Sequence, residues 1–471
     1  MSFLIEADTM QTVTIFAPAS KSLSHRALMA AALAKGVSHL SQVLESDDTA
    51  RTRDVFTALG ARFERTGPGA FTVAGLDGRV CSRARNRETD PEQPLSCYVG
   101  ESGTTCRLVT AILAAGRGIF RIHGAGRMHE RPLMDLAETL TALGAKINFE
   151  GRYGCPPLIL EARGLDASGL PGGMAVIGSD ESSQYLSGLL LAAPLGNGMT
   201  IRLGGSKVVS WPYVGLTLDV METFGITFTV QTLDGEDWAN ADWRNLPQAE
   251  PGKIRFIISP GSYQPKNQAV EGDWSGASYF LAAGAIGPKA VRVRGLTRNS
   301  LQGDAALLGI LERMGARVAW ENEASAPDVT VFPSPLRGIA VDMGHCPDLV
   351  PTVAALAAHA KGRTIISNVA HLKIKESDRL RAPAEELRKT GCDVTVTDDG
   401  LSIMPPEGGL QIPGPHIRFS AHNDHRIAMS ASLLGLPGLK GGGGFAVPLD
   451  DPACVAKSFP HFWQLWEQVR I

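Results

Sequence analysis

One pattern recurs five times along this chain of 471 residues: a helix-like segment, a glycine, and then a strand-like segment of alternating residues. The five copies are FTALGARFER, TALGAKINFE, METFGITFTV, ERMGARVAW and RKTGCDVTV, with glycines Gly60, Gly144, Gly225, Gly315 and Gly391. These glycines are 84, 81, 90 and 76 residues apart. Glycine just beyond a helix end adopts the left-handed conformation that lets the chain turn into a strand. The near-constant period predicts an α/β protein built from repeated units.

The ends of the chain suggest how these units are divided. A sixth helix is predicted near residues 461–469 with no strand after it, and a strand predicted over Thr12–Phe16 could complete that last unit. We therefore predict one domain from residues 1–18 and 271–471 and a central domain from residues 19–270, with three units in each. Residues 81–97 and 233–252 lie outside the repeat and are rich in charge, Pro, Asn or Asp, which is typical of surface insertions.

Composition narrows the class of protein. Hydrophobic residues make up 44% and charged residues 20%, which is typical of a soluble globular protein, and the net charge of -3 offers no basic field for nucleic acid. The seven scattered cysteines, without CxxC spacing, indicate reduced thiols and no disulfide framework or zinc site. The first ten residues do not have the pattern of a secretion signal, and the longest apolar stretch is too short for a bilayer. We expect a cytoplasmic protein that does not bind membranes.

Several polar turns lead directly into apolar helices. The first, PASKSLSHR at 18–26, precedes ALMAAALA. Hydroxyl residues at a helix start leave backbone N–H groups at the positive end of the helix dipole, and Lys21 and Arg26 add charge there. The segment predicts an anion cradle; an ordinary serine cap with solvated basic residues is the alternative.

Three further segments have the same character. GESGTTCR at 100–107, SDESSQY at 179–185 and SWPY at 210–213 each place hydroxyl or amide groups where a helix begins, although each could be simple capping. In RMHERP at 127–132, Arg127 and Arg131 would share a face if this segment were helical. Surface charge is the alternative for these two arginines.

Charged segments in the last third of the chain are more unusual. IKESDR at 374–379 lies between apolar runs, and a solvated helix start is its alternative interpretation. HNDHR at 422–426 opens an apolar helix, and its two histidines lack the spacing of a metal site. Asp348 precedes a helix of alanines, where a lone acid is usually a cap. If these helix starts converge, each charge pair at about 4 Å is worth roughly 4 kcal/mol before desolvation, so the cleft would select anions.

The residues resemble the EPSP synthases, a family of enolpyruvyl transferases. SKSLSHRALMAAALA, ESGTTCR, RMHERP, SSQYL, SWPY, EGDWSGASYFLAAGA, NSLQGD, KIKESDRL, NDHRIAMS and DPACVAKSFP follow one another in the order of that family, from about residue 12 to residue 459. The resemblance implies a two-domain inside-out α/β barrel, each domain containing three βαβαββ units, which agrees with the repeat. It also implies domains that close on the substrate.

The same resemblance implies the reaction and its residues. The 5-hydroxyl of shikimate 3-phosphate would add to phosphoenolpyruvate, and phosphate would leave a tetrahedral adduct, with no metal or redox cofactor and with a monomeric enzyme. Asp348, Glu376 and Lys21 are the implied catalytic groups. The implied ligands of shikimate 3-phosphate are Lys21, Ser22, Arg26, Ser182, Ser183, Gln184, Ser210, Asp348, His371 and Lys375. Those of phosphoenolpyruvate are Lys21, Gly103, Arg131, Gln184, Arg379, Arg426 and Lys457.

One departure from the family pattern favours another interpretation. Glu101 stands where the family usually has Asn, and a carboxylate there should repel phosphoenolpyruvate unless it is protonated or turned away. A non-catalytic paralogue, or an enzyme for a different hydroxyl acceptor, is therefore the alternative. Against it, Lys21, Asp348, Glu376 and the implied cationic ligands are all present.

Overall fold

In the computed structural model of the protein, residues 11–82, 93–321, 328–412, 414, 416–437 and 444–470 are described. The strands in these residues are β1 Thr12–Phe16, β2 Val37–Ser41, β3 Arg62–Gly67, β4 Ala70–Ala74, β5 Leu95–Gly100, β6 Arg117–Gly124, β7 Lys146–Phe149, β8 Leu158–Arg163, β9 Met174–Ser179, β10 Met199–Val208, β11 Phe228–Asp234, β12 Asp237–Asn240, β13 Ile254–Ile258, β14 Asn267–Ala269, β15 Ala290–Arg294, β16 Arg317–Glu321, β17 Asp328–Phe332, β18 Ala340–Asp342, β19 Thr364–Ser367, β20 Asp393–Val396 and β21 Leu401–Met404. The α-helices are α1 Lys21–Leu33, α2 Asp47–Ala58, α3 Gly103–Ala114, α4 Met134–Ala142, α5 Ser183–Ala192, α6 Pro212–Thr223, α7 Trp274–Ile286, α8 Leu307–Met314, α9 Val350–His359, α10 Arg381–Arg388, α11 His425–Ser432 and α12 Phe462–Arg470.

The predicted helix–glycine–strand turn is confirmed in all five copies. Each glycine lies between an amphipathic helix and a strand, at the junctions α2–β3, α4–β7, α6–β11, α8–β16 and α10–β20. The φ angles of Gly60, Gly144, Gly225, Gly315 and Gly391 are 107°, 102°, 80°, 100° and 86°. An L-residue is strained at these angles, whereas glycine adopts them freely. The repeat seen in the sequence is therefore a repeat of backbone geometry.

Contacts divide the chain into two compact units: a central unit, Lys21–Val270, and a terminal unit, formed by the chain up to Ser20 together with Glu271 onward. In the central unit, β5–α3–β6–α4–β7–β8 is one complete βαβαββ repeat, with sheet order β5-β6-β8-β7. A second repeat forms the sheet β12-β11-β13-β10-β9. The third repeat forms the sheet β14-β2-β4-β3. Its helix α1 opens the unit, but its first strand, β14, comes from the other end of the unit and pairs in parallel with β2.

The terminal unit shows the same arrangement. Its sheet β18-β19-β21-β20 is a continuous repeat, while the sheet β1-β15-β17-β16 takes its first strand from the amino end. The suggestion that Thr12–Phe16 completes the last unit is wrong, because β1 pairs in parallel with β15 and so belongs to the repeat of α7 and α8. The remaining stretch contains α11, α12 and, in its described part, a single parallel bridge between Phe419 and Leu449.

Six of the described helices are buried almost completely, and this burial fixes the position of the polar turns that precede them. Helices α1, α3 and α5 of the central unit, and α7, α9 and α11 of the terminal unit, are buried along nearly their whole length. A helix that is apolar on every side must be covered on every side. Helix α3, for example, packs against α5, α1 and α2 and also against β6 and β8. The polar turn before each buried helix is therefore held at a fixed place within its unit.

The two expected insertions differ in what can be described. Residues 83–92 lie outside the described residues, but Cys97 is a buried residue of β5, so that end of the expected insertion is part of a sheet. Residues 233–252 add the edge strand β12, which pairs with β11, and bury Trp243 and Ala249. This segment is therefore an ordered extension of a sheet. Within the described ranges, no α-helix has both the length and the hydropathy that crossing a bilayer requires.

Candidate active site

Lys21 is the first residue of α1 in the central unit, so the helix begins inside the segment that was predicted to be the turn before it. Its Nζ lies 3.1 Å from Oδ2 of Asp48, which is in the first turn of α2. The two side chains are 12% and 5% exposed, so the ion pair is largely removed from water. Asp48 therefore orients the Lys21 ammonium, and sequence reasoning missed it because nothing in ESDDTA marks one aspartate as the partner of a lysine 27 residues away. Ser22 follows Lys21 and is half-buried.

Arg26 is buried beneath the start of α1. Its Nε donates to Thr217 Oγ1 at 2.8 Å, Nη1 donates to the carbonyl of Ser22 at 2.9 Å, and Nη2 donates to the carbonyl of Tyr213 at 3.0 Å. Burial lowers the pKa of Arg26 to about 10, which leaves it charged at neutral pH. In this structure Arg26 ties α1 to α6, so a role in binding substrate would come in addition to a structural one.

His25 joins three helices through a chain of hydroxyl groups. Its Nδ1 lies 2.7 Å from Thr52 Oγ1, which lies 2.8 Å from Thr105 Oγ1, which in turn lies 2.8 Å from Ser102 Oγ. Ser102 caps α3 by accepting a hydrogen bond from the N–H of Thr105. Burial lowers the pKa of His25 to about 3, so the ring is neutral. The chain fixes the start of α3 relative to α1 and α2.

Arg131 lies directly over Gly103, the first residue of α3. A Cβ atom added to Gly103 would stand 2.4 Å from Nη2 and 2.6 Å from Cζ of Arg131. Arg127 and Arg131 were expected to share a face only if their segment were helical. The segment Gly126–Glu130 is a short 3-10 helix and Arg131 lies beyond its end in extended conformation, so the two arginines do not share a helical face. Arg131 is buried, whereas the Arg127 side chain is 35% exposed. Only Arg131 is therefore packed against the glycine–hydroxyl turn.

Glu101, the residue that departs from the family pattern, sits at the same turn. Its Oε1 lies so close to Gly126 that a Cβ added there would be 2.2 Å away, while its backbone carbonyl lies 3.4 Å from Arg131 Nη1. The carboxylate is therefore directed at the Gly126 backbone, and the main chain of Glu101 supports Arg131.

Gln184 is held at the start of α5 by two partners from α3. Its Oε1 accepts a hydrogen bond from Arg107 Nη1 at 3.1 Å, and its Nε2 donates to Thr104 Oγ1 at 3.0 Å. Arg107 is buried and also donates to the carbonyl of Pro132 at 3.2 Å. Arg107 thus orients Gln184, a role that sequence reasoning did not assign. The motif ESGTTCR contained the arginine, but its partner is 77 residues away.

The remaining predicted residues of the central unit lie at helix starts. Ser182 is the cap of α5, where its side chain accepts a hydrogen bond from the N–H of Gln184, and Ser183 is the first residue of that helix. Ser210 precedes α6 and has a φ of 55°. A serine in the left-handed region carries a backbone cost, and such residues cluster at functional sites. All three serines are buried.

In the terminal unit, Arg379 lies among three carboxylates. Its Nε and Nη2 donate to the two oxygens of Asp424 at 2.7 and 3.1 Å, its Nη1 donates to Asp348 Oδ1 at 3.0 Å, and its Nη2 lies 2.7 Å from Glu376 Oε2. Ser377 Oγ donates to Asp424 at 2.9 Å. Arg379 is 2% exposed and Asp424 is fully buried. The solvated alternative for this segment is therefore wrong.

Arg426 shares Asp348 with Arg379. Its Nη2 lies 2.6 Å from Asp348 Oδ2, and its Nη1 donates to Ser275 Oγ. Burial alone would raise the pKa of Asp348, but the charges of Arg426 and Arg379 outweigh burial and hold that pKa below its ordinary value. Burial alone would lower the pKa of Arg379, but the negative charges of Asp424, Glu376 and Asp348 outweigh burial and raise that pKa above its ordinary value. Asp348 and Arg379 therefore hold each other in their charged forms inside a buried cluster.

The other predicted residues of this unit lie in short 3-10 helices or directly after one. His371 is buried within the 3-10 helix Ala370–Ile374, and Lys375 follows it in extended conformation, half-buried. Lys457 ends the 3-10 helix Pro452–Lys457 and is half-buried. Asp348 itself lies in the 3-10 turn Pro347–Leu349 just before α9.

The two histidines of the HNDHR segment face different partners. His422 Nε2 lies 2.9 Å from Glu386 Oε1, whereas His425 is buried in the first turn of α11. Across the described ranges, no cluster of three or more His, Cys, Asp and Glu side chains could hold a metal ion. Asp424 lies between these histidines in the sequence and accepts hydrogen bonds from Arg379, Ser377 and the N–H of Arg426. Sequence reasoning gave it no role.

The chain is similar to one family of known proteins over nearly its whole length. The family described as EPSP synthase (3-phosphoshikimate 1-carboxyvinyltransferase) matches residues 5–239 and 246–466. The 3-phosphoshikimate 1-carboxyvinyltransferase of Nitrosomonas europaea is 38% identical over 452 residues, which cover 95% of this chain and 94% of the relative. That of Laribacter hongkongensis is 38% identical over 465 residues, covering 97% and 96%.

A solved structure supports the same assignment. The EPSP synthase of Acinetobacter baumannii matches with a TM-score of 0.72 at 26% identity, covering 98% of this chain and 96% of its own. This likeness confirms the predicted fold class, the two-domain inside-out α/β barrel. Because sequence, structure and the order of the buried polar turns agree over nearly the whole length, this chain belongs to the EPSP synthase (3-phosphoshikimate 1-carboxyvinyltransferase) family.

Proposed function

We propose that this chain transfers the enolpyruvyl group of phosphoenolpyruvate to the 5-hydroxyl of shikimate 3-phosphate and releases phosphate. The observation that carries the proposal is the buried cluster in which Arg379 and Arg426 share the carboxylate of Asp348. Guanidinium groups fixed in a buried site are suited to bind carboxylate and phosphate and to stabilise a departing phosphate. The two compact units are then the two domains of the enzyme, and it acts as a cytoplasmic monomer on small molecules.

The residue roles are part of the same proposal. Shikimate 3-phosphate is bound by Lys21, Ser22, Arg26, Ser182, Ser183, Gln184, Ser210, Asp348, His371 and Lys375. Phosphoenolpyruvate is bound by Lys21, Gly103, Arg131, Gln184, Arg379, Arg426 and Lys457. Among the described residues the supporting features are the helix starts that carry these groups and the partners, such as Asp48 and Arg107, that orient them.

Asp348 is the group that accepts the hydroxyl proton, and its environment explains how. While it is paired with both arginines its pKa is low, and it is a weak base. When the anionic phosphoenolpyruvate binds Arg379 and Arg426, its negative charge offsets part of the positive charge that stabilises the Asp348 carboxylate. The pKa of Asp348 therefore rises. The substrate therefore activates the base. Glu376, which is ion-paired with Arg379, supplies the proton that C3 gains as the hydroxyl adds to C2. It takes a proton back from C3 as phosphate leaves and the C=C bond re-forms, while the Lys21 ammonium donates a proton to the departing phosphate.

A non-catalytic paralogue is not favoured. The feature that suggested it, Glu101, has its carboxylate directed at the backbone of Gly126. Relatives that share more than a third of its residues over nearly the whole chain carry the name of the enzyme.

Phosphate release tests the proposal. Wild type should release phosphate only when both substrates are present. Lys21→Ala should lower kcat/KM by about 10- to 100-fold, since a hydrogen bond to a charged group is worth about 1.5–3 kcal/mol. Glu376→Gln should lower kcat by about 10²- to 10⁴-fold. Lys35→Ala, an exposed lysine just beyond α1, is the matched control and should match wild type. Absence of release by the wild type with both substrates would refute the proposal.

A further inference from the structure

Asp304 is a buried carboxyl group that has no place in the roles proposed above. It is the second residue of the 3-10 helix Gly303–Ala306 and is 4% exposed. Its side chain makes a hydrogen bond with that of Ser275, in the first turn of α7. The two segments are joined by Gln302, whose Oε1 accepts the N–H of Trp274 at 3.3 Å. Asp304 is therefore fixed against the start of α7.

Ser275 connects Asp304 to the arginine cluster. Arg426 Nη1 donates to Ser275 Oγ, so the hydroxyl hydrogen of Ser275 is left to donate to Asp304. Arg426 Nη2 donates to Asp348 Oδ2 at 2.6 Å. Asp304, Ser275, Arg426 and Asp348 thus form a continuous chain that runs within the terminal unit. Arg426 is held on one side by a fully ionised carboxylate and on the other by a hydroxyl group backed by Asp304.

The charges around Asp304 act in opposite directions. Burial and the nearby carboxylate of Asp348 raise the pKa of Asp304 to about 7, with a smaller contribution from Asp273, while Arg426 and the hydrogen bond from Ser275 lower it. Asp273 caps α7 by accepting the N–H of Ser275 at 3.0 Å. The thiol of Cys346 is also influenced by Asp304, and burial raises its pKa so that it stays neutral. Burial and Asp348 thus raise the pKa of Asp304 toward neutral pH, whereas Arg426 and Arg379 hold the pKa of Asp348 below its ordinary value.

We propose that Asp304 is a positioning residue for the transfer reaction: through Ser275 it holds Arg426 in place, and its charge sets how strongly Arg426 attracts phosphoenolpyruvate. This inference rests on the proposed function. A neutral Asp304 supports Ser275 without competing for the charge of Arg426. An ionised Asp304 adds a negative charge beside Arg426 and weakens its attraction for an anion. By linkage, binding of the anion favours the protonated form of Asp304.

The test is the KM for phosphoenolpyruvate of Asp304→Asn and wild type between pH 6 and pH 8, at saturating shikimate 3-phosphate. The amide oxygen of Asn can still accept the Ser275 hydroxyl, so the variant keeps the contact and removes the titration. The ratio of wild-type KM to variant KM cancels the ionisation of the substrates. This ratio should rise by up to about tenfold between pH 6 and pH 8. Tenfold is the limit because only one group titrates, and its pKa lies about one unit below pH 8. Values of kcat should differ much less.

A matched control and a second variant complete the experiment. Asp398→Asn removes an exposed carboxylate of the same unit, and its KM should follow wild type at every pH. Ser275→Ala breaks the link but leaves the charge of Asp304. It should therefore raise the KM for phosphoenolpyruvate at all pH values by about tenfold or more, the effect of losing one charge-assisted hydrogen bond.

The outcomes separate this inference from the proposed function. The role of Asp304 is overturned if the wild type is active but the ratio of its KM to that of Asp304→Asn changes by less than twofold between pH 6 and pH 8. The proposed function would then still stand. If Asp304→Asn does not fold, an unchanged KM in Ser275→Ala overturns it instead. A wild type that releases no phosphate from the two substrates overturns the proposed function.

Discussion

Replacing Gly103 by Ala tests whether the contact between α3 and Arg131 serves phosphoenolpyruvate. The added Cβ would stand 2.4, 2.6 and 2.7 Å from three atoms of the Arg131 guanidinium, whereas ordinary contact begins at 3.4 Å. The guanidinium must retreat by about 1 Å, the difference between the shortest of these distances and ordinary contact. Gly103 has no positive φ in this structure, so alanine adds no backbone strain and the effect falls on Arg131.

The size of the effect follows from that displacement. A hydrogen bond between a charged donor and its acceptor contributes about 1.5–3 kcal/mol, and about 1.4 kcal/mol corresponds to tenfold in affinity. Moving Arg131 by about 1 Å should weaken one such contact to phosphoenolpyruvate, and misplacements of that size cost about 10²-fold. We expect the KM for phosphoenolpyruvate to rise about 10- to 100-fold, with the KM for shikimate 3-phosphate nearly unchanged.

Steady-state phosphate release with each substrate varied in turn measures both constants. Gly309→Ala is the matched control: Gly309 lies in α8, and nothing stands within 4 Å of its added Cβ. It should leave both KM values unchanged and stabilise the protein by about 0.5–1 kcal/mol, because alanine is the better helix former. A Gly103→Ala enzyme with a phosphoenolpyruvate KM within twofold of wild type would show that Arg131 does not bind this substrate as proposed.

Three further predictions concern the surrounding groups. Asp424→Asn should lower the free energy of unfolding by about 3–5 kcal/mol in urea denaturation, because it leaves Arg379 buried with too little negative charge; a loss below about 1 kcal/mol would contradict this. His25 has a folded pKa of about 3 against an unfolded 6.5, so stability falls as pH drops below 6.5, and His25→Gln should recover about 2 kcal/mol at pH 5 but nothing at pH 8. Arg107→Lys should raise the KM for phosphoenolpyruvate about tenfold, since a lysine cannot hold both Gln184 and the Pro132 carbonyl; an unchanged KM would remove Arg107 from this role.

The repeat could be predicted from the sequence because its cause is local. A glycine at a helix end permits a left-handed turn, and the alternating residues after it form a strand, so Gly60 and its four counterparts carry their geometry in their own neighbourhood. The buried helices were also visible, since an apolar stretch such as that of α7 has no polar face to expose to water. The polar turns before these helices marked where hydroxyl and basic side chains are held, such as Lys21 at the start of α1.

Strand partners and charge partners could not be predicted in the same way. The pairing of β1 with β15 and of β14 with β2 joins segments more than 200 residues apart, and no local pattern specifies such a partner. The sequence showed that Lys21, Arg107 and Arg379 were present, but not that Asp48, Gln184 and Asp424 would hold them.

The amino-acid sequence by itself thus determined the repeated helix–glycine–strand turns and the buried helices, because backbone conformation and hydrophobic period depend on neighbouring residues. Tertiary structure alone decided which acid neutralises which base and how deeply each pair is buried. Charge strength depends on distance and on exclusion of water, and both are properties of the packed chain. That is why the pKa of Asp304, an acid in the segment NSLQGD, rises to about 7 only in the folded protein, where burial and the nearby Asp348 both disfavour its charged form.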